Sequence, residues 1–287
     1  MSDPPAALDG QCSRQDRRNP GTAVAVVTGA GRGIGQATAI ALADSGFAVG
    51  LVARTREELV ATADQIAVRG TPAAVAVADV TCHASVRRAV ETLEGSLGDI
   101  DVLVNNAATM RAVGPVWQVD PVDWWTDVQT SLVGAFLCSH EVIPGMIARG
   151  RGRIVNVVSY AAVRPSPYQS AYAAAKAGLV SLTEDLAASL RPHGLFAFAV
   201  APGFTDTAMT RSLVHSAAAK RWMPELARRE SVPAQQSTAL ITWLATGSGD
   251  ELNGRLLHPL DDVEDLLVHV DRVRDLDLYV PRIRRLE

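Results

Sequence analysis

Tyr172 and Lys176 stand four residues apart in a run from about Ser170 to Leu190 that reads as a helix, so both side chains leave one face of it. A free tyrosine has a pKa of about 10 and exchanges protons poorly at neutral pH. An ammonium beside it favours the phenolate and lowers that value, which suits the phenol to give a proton to a developing alkoxide. Ser159 lies thirteen residues before Tyr172, at the tip of the apolar run Ile154–Val158, which reads as a buried strand. Its hydroxyl can bond the same oxygen. A Tyr-x-x-x-Lys pair alone is common in helices, and it gains meaning from what the rest of the chain places beside it.

The strongest companion is Thr28 to Gly35, reading Thr-Gly-Ala-Gly-Arg-Gly-Ile-Gly. The apolar run Val24–Val27 before it predicts a strand. The segment Ile34–Ala43 after it, with Ile34, Thr38 and Leu42 at i, i+4, predicts a helix. Strand, glycine turn and helix N-terminus make a phosphate site: Gly29, Gly31, Gly33 and Gly35 allow close backbone approach, and free N–H groups of Gly33 and Ile34 open the helix. The spacing is Gly29-x-x-x-Gly33-x-Gly35, because Ile34 stands where a G-x-G-x-x-G fingerprint would end.

Other elements follow in alternation. Phe47–Val52, Ala73–Ala78, Ile100–Val104 and Leu195–Val200 read as strands, and Ser85–Leu97 as a helix. Thr55-Arg-Glu-Glu58 reads as a capping box opening a helix toward Arg69, ended by Gly70. Asp123 to Met146 carries a long helical pattern that Pro144 is expected to kink or end. Strands alternating with helices predict an α/β fold: one doubly wound, Rossmann-type parallel sheet with helices on both faces. Right-handed crossovers then bring the segments after the strands to one crevice. Those segments hold Gly29–Gly35, Ala53-Arg54, Asp79-Val80, Asn105-Asn106-Ala107, Ser159 and Pro202-Gly203.

The end of the second strand is where an NAD-binding protein places an acidic residue for the ribose. Here Ala53 and Arg54 occupy it. A guanidinium grips a 2′-phosphate where a carboxylate would repel it, and Arg32 can close on the same group. Glu57 and Glu58 read as first-turn helix charges.

Taken together, Thr28 with Gly29-x-x-x-Gly33-x-Gly35, Asn105-Asn106-Ala107-Ala108 and Ser159 with Tyr172-x-x-x-Lys176 resemble the short-chain dehydrogenase/reductase family from about Val24 to Leu244. The resemblance implies hydride transfer between a nicotinamide cofactor and a carbonyl or secondary alcohol. NADP(H) is expected over NAD(H), given Arg32 and Arg54. It implies Tyr172 as the proton donor or acceptor, Ser159 as the group that polarises the carbonyl, and Lys176 as the group that lowers the tyrosine pKa and holds the nicotinamide ribose. Asp79-Val80 resembles the adenine-contacting pair, with Asn105, Asn106 and Ala107 beside it. Pro202, Gly203, Thr205 and Thr207 resemble the segment along the nicotinamide. Ala108 replaces a glycine, and Ser131 stands where the family often has an asparagine that relays protons. An epimerising or non-redox reaction through a transient ketone, and a non-catalytic NADP-binding regulator, are the alternatives; the complete Ser159, Tyr172 and Lys176 set favours turnover.

Bulk properties narrow the class. At 287 residues with 48% hydrophobic and 20% charged residues, the chain suits one α/β domain. A net charge of −4 provides no basic surface for nucleic acid. Cys12, Cys82 and Cys138 are too few and too scattered for a disulfide framework, which fits a cytoplasmic protein. No apolar run approaches the roughly 20 residues that span a bilayer. We expect a disordered tail over 1–21, a binding and catalytic domain over 22–260 and a C-terminal extension over 261–287. Leu266, Leu267 and Val270 suggest a helix in that extension, and Leu278–Val280 a strand-like run. Residues 205–230 read as a substrate lid, where Met209, Leu213, Trp222, Met223 and Leu226 suit a small to medium, moderately hydrophobic substrate. Tyr168 and Val163 are expected on the opposite wall. His193, His215 and His258 lack ligand spacing, so no metal is expected. A homodimer or homotetramer is expected from the resemblance alone.

Overall fold

The computed structural model describes residues 22–282, and the tail expected over 1–21 lies outside them. Seven parallel strands form one sheet in the order β3-β2-β1-β4-β5-β6-β7. They are β1 Val24–Thr28, β2 Ala48–Ala53, β3 Ala73–Val77, β4 Ile100–Asn105, β5 Gly152–Val157, β6 Leu195–Val200 and β7 Leu256–Leu257. The two-residue β7 carries too short a run to be read from sequence; its pairing with β6 defines it. The chain reverses direction across the sheet between β1 and β4, which opens a crevice at their C-terminal ends.

Helices α1 Gly33–Asp44, α2 Arg56–Ala67 and α3 His83–Leu97 follow the first three strands. Thr38 and Leu42 of α1 are fully buried, whereas Ile34, expected on the same inward face, is half-buried and turns to the crevice. The capping box expected at Thr55 does not form: its side chain makes no cap hydrogen bond, because Glu58 reaches away to Arg32. One core layer packs α1 and α9 (Ala234–Ala245) against the sheet, and the other packs α3 and α5 (Gly134–Arg149).

The long helix departs from the sequence reading. It runs from α4, Pro121–Val128, through a π-helical turn, Gln129–Val133, into α5, and Pro144 sits inside α5 without ending it. An irregularity the sequence did not signal falls at the π turn, where the Gly134 N–H bonds the Gln129 carbonyl five residues back. Such turns tend to mark functional positions, and this one holds Ser131. The whole helix, Pro121–Arg149, is long enough to cross a membrane and contains an 18-residue window apolar enough to do so. Its α5 half packs on the sheet, and the helix carries Asp123, Asp127 and Glu141.

Helix α6, Ser170–Leu190, follows β5, and α7 Ala208–His215, α8 Ala217–Trp222 and a 3-10 turn at Pro224–Arg228 follow β6. The last residues form two short helices, α10 Val263–Val268 and α11 Val270–Asp275. Leu266 and Val273 join the buried layer that contains Phe198 and Leu252, so these helices pack on their own domain. The strand-like run at Leu278–Val280 is irregular; the Tyr279 carbonyl nevertheless accepts the Leu256 N–H at 2.8 Å and covers the β7 edge.

Candidate active site

One cavity of about 800 Å³ lies along the C-terminal edge of the sheet. Its wall takes in Gly29, Gly31, Arg32, Gly33, Ile34, Arg54, Asp79, Val80, Asn106, Ala107, Ser159, Tyr172, Pro202, Gly203, Thr205 and Thr207. The loops after six strands thus meet, as the topology requires. Gly35, Asn105, Ser131 and Lys176 do not reach this wall.

At the glycine turn, close packing dictates the residue type. A Cβ on Gly35 would stand 2.2 Å from the Gly29 carbonyl oxygen and 2.4 Å from the Asn106 amide nitrogen. Asn106 braces the turn: its Nδ2 donates to the Thr28 carbonyl at 2.9 Å, and the Thr28 hydroxyl accepts the N–H groups of Asn106 and Ala107 at 3.0 and 3.1 Å. Helix α1 starts without a side-chain cap at Arg32, so its first N–H groups have no intrahelical partner beside the cavity. An uncapped helix start, a turn with no room for side chains and the exposed cation of Arg54 fit the phosphates of a dinucleotide. Ala108 is absent from the residues with positive φ, so its β-carbon meets no strain.

One expectation on this side needs correction. Asn105 is buried and faces the sheet interior, where its Nδ2 donates to Asn156 Oδ1 at 2.9 Å and Ser139 Oγ at 3.1 Å. Asn156 in turn donates to Thr183 at 2.9 Å, so Asn105 ties β4 to β5 and α6 through side chains the sequence reading did not connect. Glu58 sits in the first turn of α2, as expected, and is also a cavity residue: it pairs with Arg32 at 3.3 Å, because the absence of a β-carbon on Gly31 lets it pack against the turn. Thr207 lines the cavity, and its hydroxyl also caps α7, accepting the Thr210 N–H at 3.2 Å. Asp79 lines the cavity; burial pushes its carboxyl up, but hydrogen bonds from Thr81 and the Arg54 charge outweigh that and hold it below the usual range.

On the proton-transfer side, Tyr172 is half-buried in the wall, and Lys176 is buried beneath it with Nζ 5.6 Å from the phenol ring centroid. Nζ donates to the Val157 carbonyl at 2.6 Å. The expected lowering of the tyrosine pKa is not found. Burial pushes Tyr172 up to about 12, with the Asp127 charge adding to it and the Ser159 hydroxyl opposing it. Burial also pulls Lys176 down to about 7, so its charge is weakest where it was expected to act. Tyr172 therefore stands as a neutral, proton-bearing phenol across neutral pH.

That buried amine has a stability consequence. Its pKa lies below the ordinary 10.5, so between about 7 and 10.5 the unfolded chain holds the proton that the folded chain lacks. Stability must then rise with pH through that window. We expect Lys176→Met to remove this slope and to stabilise the protein at pH 7 by on the order of 1–3 kcal/mol, the unpaired Val157 carbonyl offsetting part of the gain. Thermal melting of both proteins across that window checks it, and parallel slopes would refute it.

Ser131 is buried in the π turn, and its hydroxyl has no hydrogen-bond partner among the described residues. The neighbouring Thr130 lines the cavity in its place, since the extra residue of the turn rotates the helix face. Asp127, which the sequence reading passed over, is fully buried and accepts the backbone N–H groups of Arg111 and Ala112 at 2.8–3.0 Å, shaping the loop after β4. A lone acid on an inward helix face was the available signal. Tyr168 and Val163 leave the cavity: Tyr168 tilts against Trp222 of the lid at 5.4 Å and Val163 faces solvent. Met110, Pro165, Pro167, Phe204 and Met209 line the far wall together with Leu213, Met223 and Leu226, which also dock the lid.

Away from the cavity, His83, His140 and Glu141 bring ligand-type atoms within 4.8 Å of one another between α3 and α5, a cluster the sequence reading did not single out. His83 already contacts Glu141 at 2.5 Å and Arg87 lies 3.5 Å from that carboxylate, which makes an ion-pair network.

Comparison with known proteins agrees with this geometry. The family model described as short chain dehydrogenase matches residues 23–218. A short-chain reductase protein, NovJ, of Streptomyces niveus is 38% identical over 241 residues, covering 82% of this chain and 91% of its own. A 3-oxoacyl-[acyl-carrier-protein] reductase of Synechocystis is 38% identical over 191 residues, 66% of this chain and 77% of its own. A solved gluconate 5-dehydrogenase of Burkholderia cenocepacia, in complex with NADP and tartrate, superposes with TM-score 0.74 at 34% identity over 82% of this chain and 92% of that one.

Proposed function

From the premise that the chain belongs to the short-chain dehydrogenase/reductase family, we propose that it is an NADP(H)-dependent oxidoreductase interconverting a carbonyl and a secondary alcohol on a small to medium, moderately hydrophobic substrate. The observation that carries this reading is the meeting of Ser159 and Tyr172 with the glycine turn and Arg54 on the wall of one cavity. A bound nicotinamide would supply the hydride for reduction or accept it in oxidation. The chain's own residues do the rest. Ser159 Oγ and Tyr172 Oη hold the carbonyl oxygen from two sides, and the phenol gives up its proton as that oxygen gains charge. Lys176, beneath the ring, is the near group able to return a proton to the phenolate. The apolar lid residues exclude water from the reacting carbon and select for carbon skeleton.

The two arginines support the preference for NADP(H): Arg54 is exposed at the end of β2 and has no ion-pair partner among the described residues. Arg32 is held by Glu58, so a phosphate must compete for it. Exposed pairs of this kind contribute about 0.2–1 kcal/mol, so we expect Glu58→Gln to tighten NADPH by about 1.4- to fivefold and to leave NADH unchanged. Fluorescence titration of both cofactors checks it. Exposed Trp125, Phe136 and Ile147 along one helix support a homodimer or homotetramer. A cytoplasmic location completes the reading. The function is tested by NADPH oxidation with a panel of ketones and NADP⁺ reduction with the matching alcohols. Tight cofactor binding without turnover on any of them would favour the regulator instead.

A further inference from the structure

We propose that His258, just beyond β7, is a positioning residue whose neutral ring holds Tyr160 and thereby aims the Ser159 hydroxyl into the cavity. This rests on the reading of Ser159 as the group that binds the substrate oxygen. Tyr160 follows Ser159 directly and opens the 3-10 turn Tyr160–Ala162. The Ala161 N–H donates to Ser159 Oγ at 3.2 Å, so the serine rotamer depends on where that turn sits. The turn is clamped through its tyrosine. The His258 ring stacks on Tyr160 with centroids 4.9 Å apart and planes 24° apart, and the Arg164 guanidinium covers the tyrosine at 5.0 Å. His258 also abuts the opposite wall: a Cβ on Gly203, whose φ is +78°, would lie 3.3 Å from its Nε2. One buried imidazole thus touches the neighbours of both Ser159 and the Pro202-Gly203 segment.

The ring's own contacts set its protonation. The Leu260 N–H donates to Nδ1 at 3.2 Å, so Nδ1 carries a lone pair and the neutral ring bears its proton on Nε2. The His258 N–H donates to Asp261 Oδ2 at 2.6 Å, which closes the loop around the ring. The ionisable groups facing this cluster are Asp261 on the same loop, Tyr160 and Arg164 from the segment after β5, and Tyr279 with Asp265 from the C-terminal segment. Burial holds His258 below its ordinary 6.5, opposed by Asp261. A proton on Nδ1 would set two donors, ring and Leu260 N–H, against each other. The ring must then turn, and Tyr160 with Ser159 loses its support. A group lowered in the folded state contributes stability that is present above the unfolded value and lost as pH falls below it. Positioning therefore fails on the acid side of neutrality.

The test follows kcat, KM and NADPH affinity against pH for the wild type, His258→Phe and His258→Asn. Phenylalanine keeps the stack without titrating; asparagine keeps an acceptor for Leu260 and loses the stack. We expect the wild type to lose kcat at a pH on the acid side of the ordinary imidazole value, with NADPH affinity unchanged. His258→Phe should flatten that acid limb, and His258→Asn should lower kcat about tenfold at every pH with a smaller change in KM. NADPH binding and melting curves establish that each variant is folded, and one well-folded variant suffices. Ser159→Ala separates the two levels. If it is inactive while the folded His258 variants keep wild-type kcat and acid limb, the proposal is overturned alone; if it turns over like wild type, the serine reading falls and takes the proposal with it.

Discussion

Tyr172→Phe is expected to lower kcat for carbonyl reduction by roughly 10³-fold, within the range that a positioned general acid contributes. The change removes one oxygen from a ring that lines the cavity and carries no hydrogen bond to the backbone, so fold and cofactor affinity should survive. The wild-type pH profile carries its own signature. Burial pushes the phenol up to about 12, so the protonated form that reduction requires is present across neutral pH and is lost only as pH rises toward that value. Oxidation of the alcohol requires the deprotonated form, which grows with pH throughout the range below it. Reduction should therefore be flat in this group near neutrality while oxidation climbs, and the variant should lose both. Equal rates in the two proteins, measured as NADPH oxidation with the same ketone, would remove Tyr172 from the mechanism.

Arg54→Asp is expected to weaken NADPH by about 10- to 100-fold, the equivalent of losing a charge-assisted bond worth roughly 1.5–3 kcal/mol. NADH, which has no 2′-phosphate, should change far less. The guanidinium is exposed at the tip of β2, and its charge helps hold Asp79 ionised across the same cavity. Reversing it puts two carboxylates beside the ribose position instead of a cation and an anion. Because the site is open to solvent, the difference between cofactors should also shrink as salt is raised. Comparable losses for NADPH and NADH would show that Arg54 does not grip the phosphate.

Much of the fold was legible because its signals are local. The run Leu195–Val200 and the segment Ser170–Leu190 match β6 and α6 residue for residue, since each is bounded by glycine, proline or a change of hydrophobic period. The glycine turn was legible for a similar reason: its chemistry lies in eight consecutive residues. Pro144 does not end its helix, because a helix packed on a sheet tolerates one missing N–H when tertiary contacts hold the rest. The capping box at Thr55 misled because a carboxylate counted as its partner found Arg32, 26 residues away, nearer. Asn105 and Asn106 are adjacent and chemically identical. Only strand pleat sends the first into the sheet and the second to the turn, since successive side chains leave opposite faces.

By itself the sequence determined the alternation of the first six strands with helices, the phosphate-binding turn and the spacing of Ser159, Tyr172 and Lys176, all properties of neighbouring residues along the chain. The tertiary structure alone decided that burial raises the Tyr172 pKa, against expectation, and lowers that of Lys176. It also turned Glu58 into a cavity residue and set His258 behind Tyr160. Desolvation and cross-chain contact depend on what the fold stacks around a group, and no local pattern records that.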